Sequence, residues 1–209
     1  AANTWPKPHP PYGLYVWGHN NNGQLGLGDT DDRSSPVLLG SENWSASARA
    51  VFGGALSSGA IRADGTIWVM GANNQYQLGT GNSTSYSSPV QVGALTTWLQ
   101  VSAGYAFTMG ITTDNKLYAW GYNTQGNLGL GNTTNYSSPV QVGALTTWAS
   151  VACGQVTTYA IKTDGTLWGW GYNNIGQVGN GATGNLNSPV QIGALTTWSK
   201  IGGLTASAI

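Results

Sequence analysis

The residue types that most often carry catalysis are scarce in this chain of 209 residues. Its two histidines, His9 and His19, have no Cys, Asp or Glu partner at metal-ligand spacing, and no Gly-x-Ser-x-Gly nucleophile motif occurs. The acidic stretch "DTDDR" (29–33) lacks the longer series of oxygen ligands, the Gly turn and the Glu of a calcium loop, so we expect a solvated loop. We therefore predict a protein that is not an enzyme and that holds neither a metal nor a cofactor.

The single cysteine, Cys153, excludes an intrachain disulfide and is expected to be a small buried side chain. Only 7% of the residues are charged, and Lys and Arg together number 7, as do Asp and Glu. No basic field is available for a nucleic acid backbone. No apolar run approaches the ~18 residues of a membrane span. These numbers predict a chain that binds no nucleic acid and does not insert into a membrane.

Any side chains that carry the function must be positioned by a repeat of about 50 residues. A glycine that follows an aromatic segment recurs at spacings of 53, 50 and 50 residues, and a proline that comes 18 residues after each glycine recurs at the same spacings. A period of this length indicates a propeller, a solenoid or an array. The four units are marked by Gly18, Gly71, Gly121 and Gly171.

Each unit has the texture of four short β-strands. In residues 99–142 the strands are "LQVSAG", "FTMGITT", "KLYAWG" and "SPVQV", and a loop rich in Asn and Gly separates the last two. The Asp-Gly pairs at 64–65 and 164–165 lie between apolar runs and favour hairpin turns between the second and third strands. Four strands repeated radially predict an all-β propeller of four-stranded blades.

The segments "ADGTIWVMGANNQYQLGTG" (63–81), "TDNKLYAWGYNTQGNLGLG" (113–131) and "TDGTLWGWGYNNIGQVGNG" (163–181) resemble the RCC1 repeat. The resemblance extends over residues 13–209 and implies a β-propeller, a fold that has seven blades in most members of the family. Two functions are implied by the family: guanine-nucleotide exchange on a small GTPase, and the inhibition of an enzyme, as in a bacterial β-lactamase inhibitor with the same repeats.

The two ends of the repeat region read as two halves of one blade. "GLYVWG" (13–18) aligns with a third strand, and "KIGGLTASAI" (200–209) aligns with a first and a second strand. We predict four blades closed into a ring by pairing of these halves, because closure leaves no strand edge exposed. The alternative is an open arc completed by another chain. Residues 1–12 are expected to form a proline-rich arm or linker, through which a homo-oligomer or a larger assembly could form.

The near-identical units differ most between the first and second strands. The stretch 101–111, "VSAGYAFTMGI", shares its frame with 151–161, "VACGQVTTYAI", but not the residues that follow its glycine. Because this stretch joins the first and second strands, we predict that it forms a binding surface on one rim. The alternative is that it varies to adjust packing near the narrow axis. The second variable loop, which runs over 82–86 and 132–136, could contact a partner or cap a blade. The candidate partner-binding residues are Tyr105, Phe107, Met109, Gln155, Thr157, Tyr159, Tyr86 and Tyr136.

We conclude from the sequence that the chain is a binding or structural module whose rim loops hold a protein or a surface glycan. Its nearly uncharged composition, rich in Thr, Asn and Gly, favours a virion, fibre or cell-surface component, outside the cell rather than in the nucleus. An RCC1-type regulator of a small GTPase and a proteinaceous enzyme inhibitor remain the alternatives.

Overall fold

The computed structural model describes residues 13–41, 43–47 and 49–202, and these residues form fourteen β-strands in four antiparallel sheets. No helix that could cross a membrane is found in these residues. Blade 1 contains only β1 (Tyr15–Gly18) and β2 (Arg33–Leu38). Blade 2 contains β3 (Val51–Gly53), β4 (Ser57–Ile61), β5 (Ile67–Gly71) and β6 (Tyr86–Gln91). Blade 3 contains β7 (Trp98–Ala103), β8 (Phe107–Thr112), β9 (Leu117–Gly121) and β10 (Tyr136–Gln141). Blade 4 contains β11 (Trp148–Cys153), β12 (Thr157–Lys162), β13 (Leu167–Gly171) and β14 (Leu186–Gln191).

Within each four-stranded blade the strands lie side by side in sequence order, which confirms the predicted blade. The hairpin between the second and third strands turns at Gly65, Asn115 or Gly165, and each of these residues has a positive φ. Glycine and asparagine adopt that conformation at low cost, which is why Asp-Gly or Asp-Asn stands at this point in blades 2, 3 and 4. The register shifts where the proline enters the fourth strand, because proline cannot donate to the ladder.

The first strands β3, β7 and β11 lie next to one another across the blade boundaries and mark the inner side of the arc. Apolar clusters fill the seams between blades. In one seam Trp120 of β9 packs edge to face on Trp98, with ring centroids 5.8 Å apart. In the next seam Trp170 of β13 packs in the same way on Trp148, with ring centroids 5.9 Å apart. Such pairs add to the burial energy of the rings, so each seam is an aromatic core.

The connections divide between two rims. The top rim carries the turns between the first and second strands and the long loops between the third and fourth strands. Both kinds of connection meet there, since Ala72 N–H donates to Leu56 O at 2.9 Å. The bottom rim carries the hairpins between the second and third strands and the links to the next blade, and there Trp98 N–H donates to Gly65 O at 3.1 Å.

Blade 1 is a half-blade in the part of the chain that the structure describes. Residues 203–209, which the sequence analysis assigned to the strands that complete it, lie outside the described residues, as does the arm of residues 1–12. None of the three core clusters found among the described residues joins blade 1 to blade 4. Closure of the ring within one chain therefore stays a prediction.

Candidate functional site

A buried asparagine gives each long loop of the top rim its shape. In blade 2, Asn73 Oδ1 accepts from Leu78 N–H at 3.0 Å, and Asn73 Nδ2 donates to Asn82 O at 2.8 Å. Because a buried amide left without partners is costly, this position tolerates few other side chains. The buried asparagine and its hydrogen-bond partners therefore fix the conformation of the loop, and the sequence of the loop can vary at its other positions. The equivalent asparagines Asn20, Asn123 and Asn173 are equally buried and bonded in the same way.

The acidic stretch 29–33 uses its carboxylates to hold the loop of blade 1. Asp32 Oδ1 accepts from Asn20 N–H at 2.7 Å, as Asn135 Oδ1 does for the equivalent amide of blade 3 at 2.8 Å. The N–H of Asp31 and the Arg33 guanidinium, 2.6 Å from Asp29 Oδ2, lower the pKa of the Asp29 carboxyl. This is the exposed structural loop that the sequence indicates. In the described ranges no three His, Cys, Asp or Glu residues group as a metal site would require.

The turns between first and second strands approach one another at the centre of the top rim. Tyr105 N–H donates to Gln155 O at 3.0 Å, which ties the turn of blade 3 to that of blade 4. A Cβ on Gly104 would lie 2.6 Å from Gly154 O, so only glycine permits this approach. We call residues 54–56, 104–106 and 154–156 the turn strip. Tyr105 is 50% exposed on this strip, and Gln155 is exposed beside it.

Four of the candidate contact residues are buried rather than displayed on the rim, which corrects their placement. Phe107 lies beneath Gly104, and Met109 is fully buried in the core of blade 3. Thr157 Oγ1 donates to Tyr172 O at 3.2 Å, and Tyr159 O–H donates to Gln177 O at 2.5 Å. The second strand of a blade lies between two other strands and is covered on both faces, so its variation adjusts packing, the alternative considered from sequence.

Tyr86 and Tyr136 are half-buried at the start of the fourth strand in their blades. Their hydroxyl oxygens accept from Asn82 Nδ2 at 3.1 Å and from Asn132 Nδ2 at 3.0 Å. Both rings also pack against the core clusters. These two tyrosines close the long loops, and they keep an exposed edge that a partner could touch.

A lock between neighbouring blades escaped the sequence analysis. Gln77 O accepts from Thr108 Oγ1 at 2.9 Å and from Trp120 Nε1 at 3.0 Å, and both donors belong to the next blade. The following seam repeats the lock at Asn127 O, which accepts from Thr158 Oγ1 at 2.8 Å and Trp170 Nε1 at 2.9 Å. The sequence contained a signal for this lock, because Thr108 and Trp120 recur 50 residues later as Thr158 and Trp170. The lock holds the long loops of blades 2 and 3 at a fixed position relative to the next blade.

The bottom rim is chemically different because it carries charged hairpins. The Arg62 guanidinium lies 3.5 Å from the ring centroid of Trp68, and the Lys162 ammonium lies 3.5 Å from that of Trp168. Asp64 Oδ1 accepts from the hydroxyl of Thr66 at 2.6 Å, and this hydrogen bond lowers the pKa of the Asp64 carboxyl. These pairs stabilise the hairpins.

A surface groove of about 470 Å³ runs along the seam between blades 3 and 4. Tyr136, Trp148, Trp168 and Pro189 contribute to its walls. The volume matches small-ligand sites, but such sites also need a few convergent polar groups, and Gln141 and Ser188 are the polar side chains in this lining. The groove offers few such groups, so the turn strip, which brings exposed residues of two blades together, is the better candidate for a site.

Comparison with known proteins identifies the repeat. The family model described as "Regulator of chromosome condensation (RCC1) repeat" matches residues 13–61, 64–111, 114–161 and 164–202. A second model of the same description matches residues 98–127 and 148–177. The matches cover nearly all the described residues.

Individual relatives match parts of the chain. The X-linked retinitis pigmentosa GTPase regulator of Canis lupus familiaris is 37% identical over 79 residues, which are 38% of this chain and 8% of that protein. The secretion-regulating guanine nucleotide exchange factor of Bos taurus is 31% identical over 115 residues, 51% of this chain and 25% of that protein. The chain therefore spans a quarter or less of the length of these relatives.

Solved structures match the fold over nearly the whole chain. Human WBSCR16 superposes with a TM-score of 0.80 at 21% identity and covers 92% of this chain and 51% of its own. Prp20p from Saccharomyces cerevisiae, whose structure was described with its binding properties to Gsp1p and histones, gives 0.77 at 18% identity, with 91% and 49% covered. This chain thus matches about half of each of these two propellers.

Proposed function

This chain belongs to the RCC1 repeat family, and from that premise we propose that it is a protein-binding module of the RCC1 regulator type whose partner is a small GTPase. The proposal assigns the contact to the turn strip of the top rim and to the long loops around it. The observation that carries it is the exposed pair of Tyr105 and Gln155 on the turn strip of blades 2, 3 and 4, where Tyr105 N–H donates to Gln155 O at 3.0 Å.

The chemistry of the top rim supports a protein as the partner. The long loops 72–85, 122–135 and 172–185 contain no charged residue, and they present amides, hydroxyls and tyrosines. Tyrosine combines a large apolar ring with a hydrogen-bonding group and is enriched in the centres of protein interfaces. A neutral surface of this kind can be desolvated without stranding a charge. Rigid loops also lose little entropy on binding.

The matched proteins support the regulator type over the other functions considered. The names of the canine and bovine relatives state regulation of a GTPase and guanine-nucleotide exchange, and the Prp20p structure was described with its binding to Gsp1p. The names of these relatives do not favour a virion, fibre or cell-surface component, which stays a prediction from composition alone. A glycan partner likewise has no support from them.

The test measures binding to a panel of purified small GTPases and the release of a fluorescent guanine nucleotide from each. We expect one GTPase to bind and to release its nucleotide faster. The double substitution Tyr105→Ala with Gln155→Ala should weaken binding about tenfold or more, since exposed aromatic anchors at an interface centre each contribute on the order of 1–2 kcal/mol.

The matched control is Leu195→Ala, which removes an exposed apolar side chain from the bottom rim. It should leave binding unchanged. Equal losses in the control and in the double variant would assign the contact elsewhere, and a panel with no binding partner would overturn the GTPase proposal.

A further inference from the structure

The groove on the outer side of the seam between blades 3 and 4 extends from one rim to the other. The fourth strand of blade 3, β10, forms one wall, and residues of β13 and β14 in blade 4 form the other. The lining begins at Leu130 in the long loop of the top rim and ends at Leu145 in the link on the bottom rim. From Tyr136 to Gln141 alone, β10 covers about 17 Å at about 3.3 Å per residue. The groove therefore suits an extended chain better than a compact molecule.

Aromatic rings make up much of the lining. The rings of Trp148 and Trp168 have centroids 6.2 Å apart and planes at 81°, so they form a corner in the groove. Tyr136 is half-buried near the top end, and Leu145 is 47% exposed at the bottom end. Flat aromatic walls of this kind are the surfaces on which prolyl rings and other compact apolar groups pack.

Trp148 also brings a hydrogen-bond donor that has no acceptor. The residue is 1% exposed, and its Nε1 is buried without a hydrogen-bond partner in the described part of the chain. An indole N–H can only donate, and a buried donor left unpaired is costly. The tryptophan at the same place of the first unit, Trp44, donates to Leu39 O at 3.3 Å. A carbonyl oxygen is thus the acceptor that an indole at this place takes where one is within reach.

Gln141 provides a second donor in the lining. Its counterparts Gln91 and Gln191 each donate Nε2–H to the carbonyl of the glycine two residues on, at 3.0 Å and 3.1 Å. Gln141 makes no such bond within residues 49–202, so its amide is left for a ligand in the groove. The groove therefore offers donors beside apolar walls.

These features define the chemistry of the ligand. None of the residues that line the groove is charged, so a neutral ligand fits it best. A polyproline II segment is extended and has no internal hydrogen bonds, so its carbonyls are free to accept. Proline has no N–H, so such a segment buries few donors that need an acceptor. A glycan carries many hydroxyl groups, and most of them would find no partner among these walls.

We propose that this groove binds a proline-rich segment of another protein in the polyproline II conformation. A peptide carbonyl accepts from Trp148 Nε1–H, and prolyl rings pack in the corner between Trp148 and Trp168. At about 3.1 Å per residue, about five or six residues of the segment lie along β10. The site is on the outer side of the blades, apart from the turn strip, so it goes beyond the proposed binding of a GTPase.

The seam between blades 2 and 3 has a weaker copy of the site. Trp98 Nε1 is likewise buried without a partner in the described ranges. Thr80 stands where the groove has Leu130, and Tyr118 stands where it has Trp168, so the copy has less apolar wall. We expect it to bind the same peptide with lower affinity, which gives every titration an internal comparison.

The experiment titrates decaproline, blocked at both ends and therefore uncharged, into the isotope-labelled protein and follows the indole N–H signals by NMR. The signal of Trp148, assigned by its loss in Trp148→Phe, should move downfield because its N–H gains an acceptor. The indole N–H groups of Trp120 and Trp170 already donate to carbonyls, so their signals should stay in place. The signal of Trp98 should move only at higher peptide concentrations.

Two substitutions of the same kind test the position of the site. Leu145→Ala removes an exposed apolar side chain from the lining, and it should weaken decaproline binding about threefold to tenfold. The matched control is Leu195→Ala, which makes the same change at the same place of the next unit, outside the groove, and should have no effect. Both leucines are exposed, so neither change depends on repacking of the core. Circular dichroism shows whether each variant has kept its sheets.

Two further probes separate the polyproline conformation from other ligands. A blocked decapeptide of alternating Gly and Ser has carbonyls but no preformed helix, and maltohexaose represents a glycan; neither should bind. The proposal is overturned if decaproline leaves the Trp148 signal in place, if either other probe binds as well as decaproline, or if the two leucine variants lose equal affinity. The double variant Tyr105→Ala with Gln155→Ala should bind decaproline normally, so this site and GTPase binding by the turn strip can fail independently.

Discussion

At the scale of single residues, Cys153 shows how the interior of a blade controls chemistry. Its Sγ lies 3.4 Å from Ser102 O in the neighbouring blade, and its side chain is buried. Burial raises the pKa of the Cys153 thiol to about 12, because the thiolate would lose its hydration. The residue is a small buried side chain, as the sequence suggests, and we expect its thiol to react slowly in the folded protein.

The prediction for Cys153 is slow reaction with a disulfide reagent at neutral pH, at a rate set by opening of the fold. Denaturant should restore the rate of an ordinary thiol. Because the folded pKa lies above the unfolded value, this thiol contributes stability below the unfolded pKa near 9, and the contribution is lost as the pH rises toward 12. Reaction of the native protein at the rate of a free thiol would contradict the burial.

At the scale of elements, the hydrogen bond from Trp120 to Gln77 O is the simplest test of the lock between blades. We expect Trp120→Phe to lower the free energy of unfolding by about 1–3 kcal/mol, because a buried carbonyl loses a donor and the smaller ring leaves a gap. Chemical denaturation measures this loss. Trp168→Phe is the control, since its Nε1–H donates to Thr166 Oγ1 within its own hairpin, at a half-exposed site.

The control should lose about 1 kcal/mol less than Trp120→Phe, because water can replace the donor at an exposed site. Equal losses in the two variants would mean that the lock adds nothing beyond an ordinary tryptophan contact.

The elements also show what the sequence can and cannot reveal. The repeat period, the turn glycines and the strand order follow from local rules, and the structure has all of them. The exposure of the second strand does not follow, because β8 is buried at every position and shows no alternation. Phe107 and Met109 therefore looked like surface variation although they fill the core. Tyr105, two residues before Phe107, is exposed because it lies in the turn.

At the scale of the whole molecule, charge is distributed unevenly between the rims. The long loops of blades 2, 3 and 4 carry none, while the bottom hairpins carry Arg62, Asp64, Asp114, Lys116, Lys162 and Asp164. Lys116 and Asp114 form an ion pair at 2.7 Å that lowers the pKa of Asp114. A partner on the top rim consequently meets an almost neutral surface.

We therefore predict that binding on the top rim depends little on salt. The dissociation constant should change less than about twofold between about 50 mM and about 500 mM salt, because few charge pairs are there to be screened. Titration calorimetry at both concentrations measures this. A tenfold weakening would indicate that the acidic loop of blade 1 takes part. In that case the variant Asp31→Asn, which removes an exposed carboxylate, should reduce the salt dependence.

The lock between blades has a consequence for how such a chain can change in evolution. At the two seams between blades 2, 3 and 4, each lock contact runs from one blade to the next, and its donors and acceptors recur 50 residues later. Stability in such arrays is close to a sum over units and their nearest neighbours. We therefore expect a recombination event that deletes or duplicates one of these units to keep the locks of the remaining seams and to change only the number of blades. Gene length can drift in steps of one blade while the fold is kept.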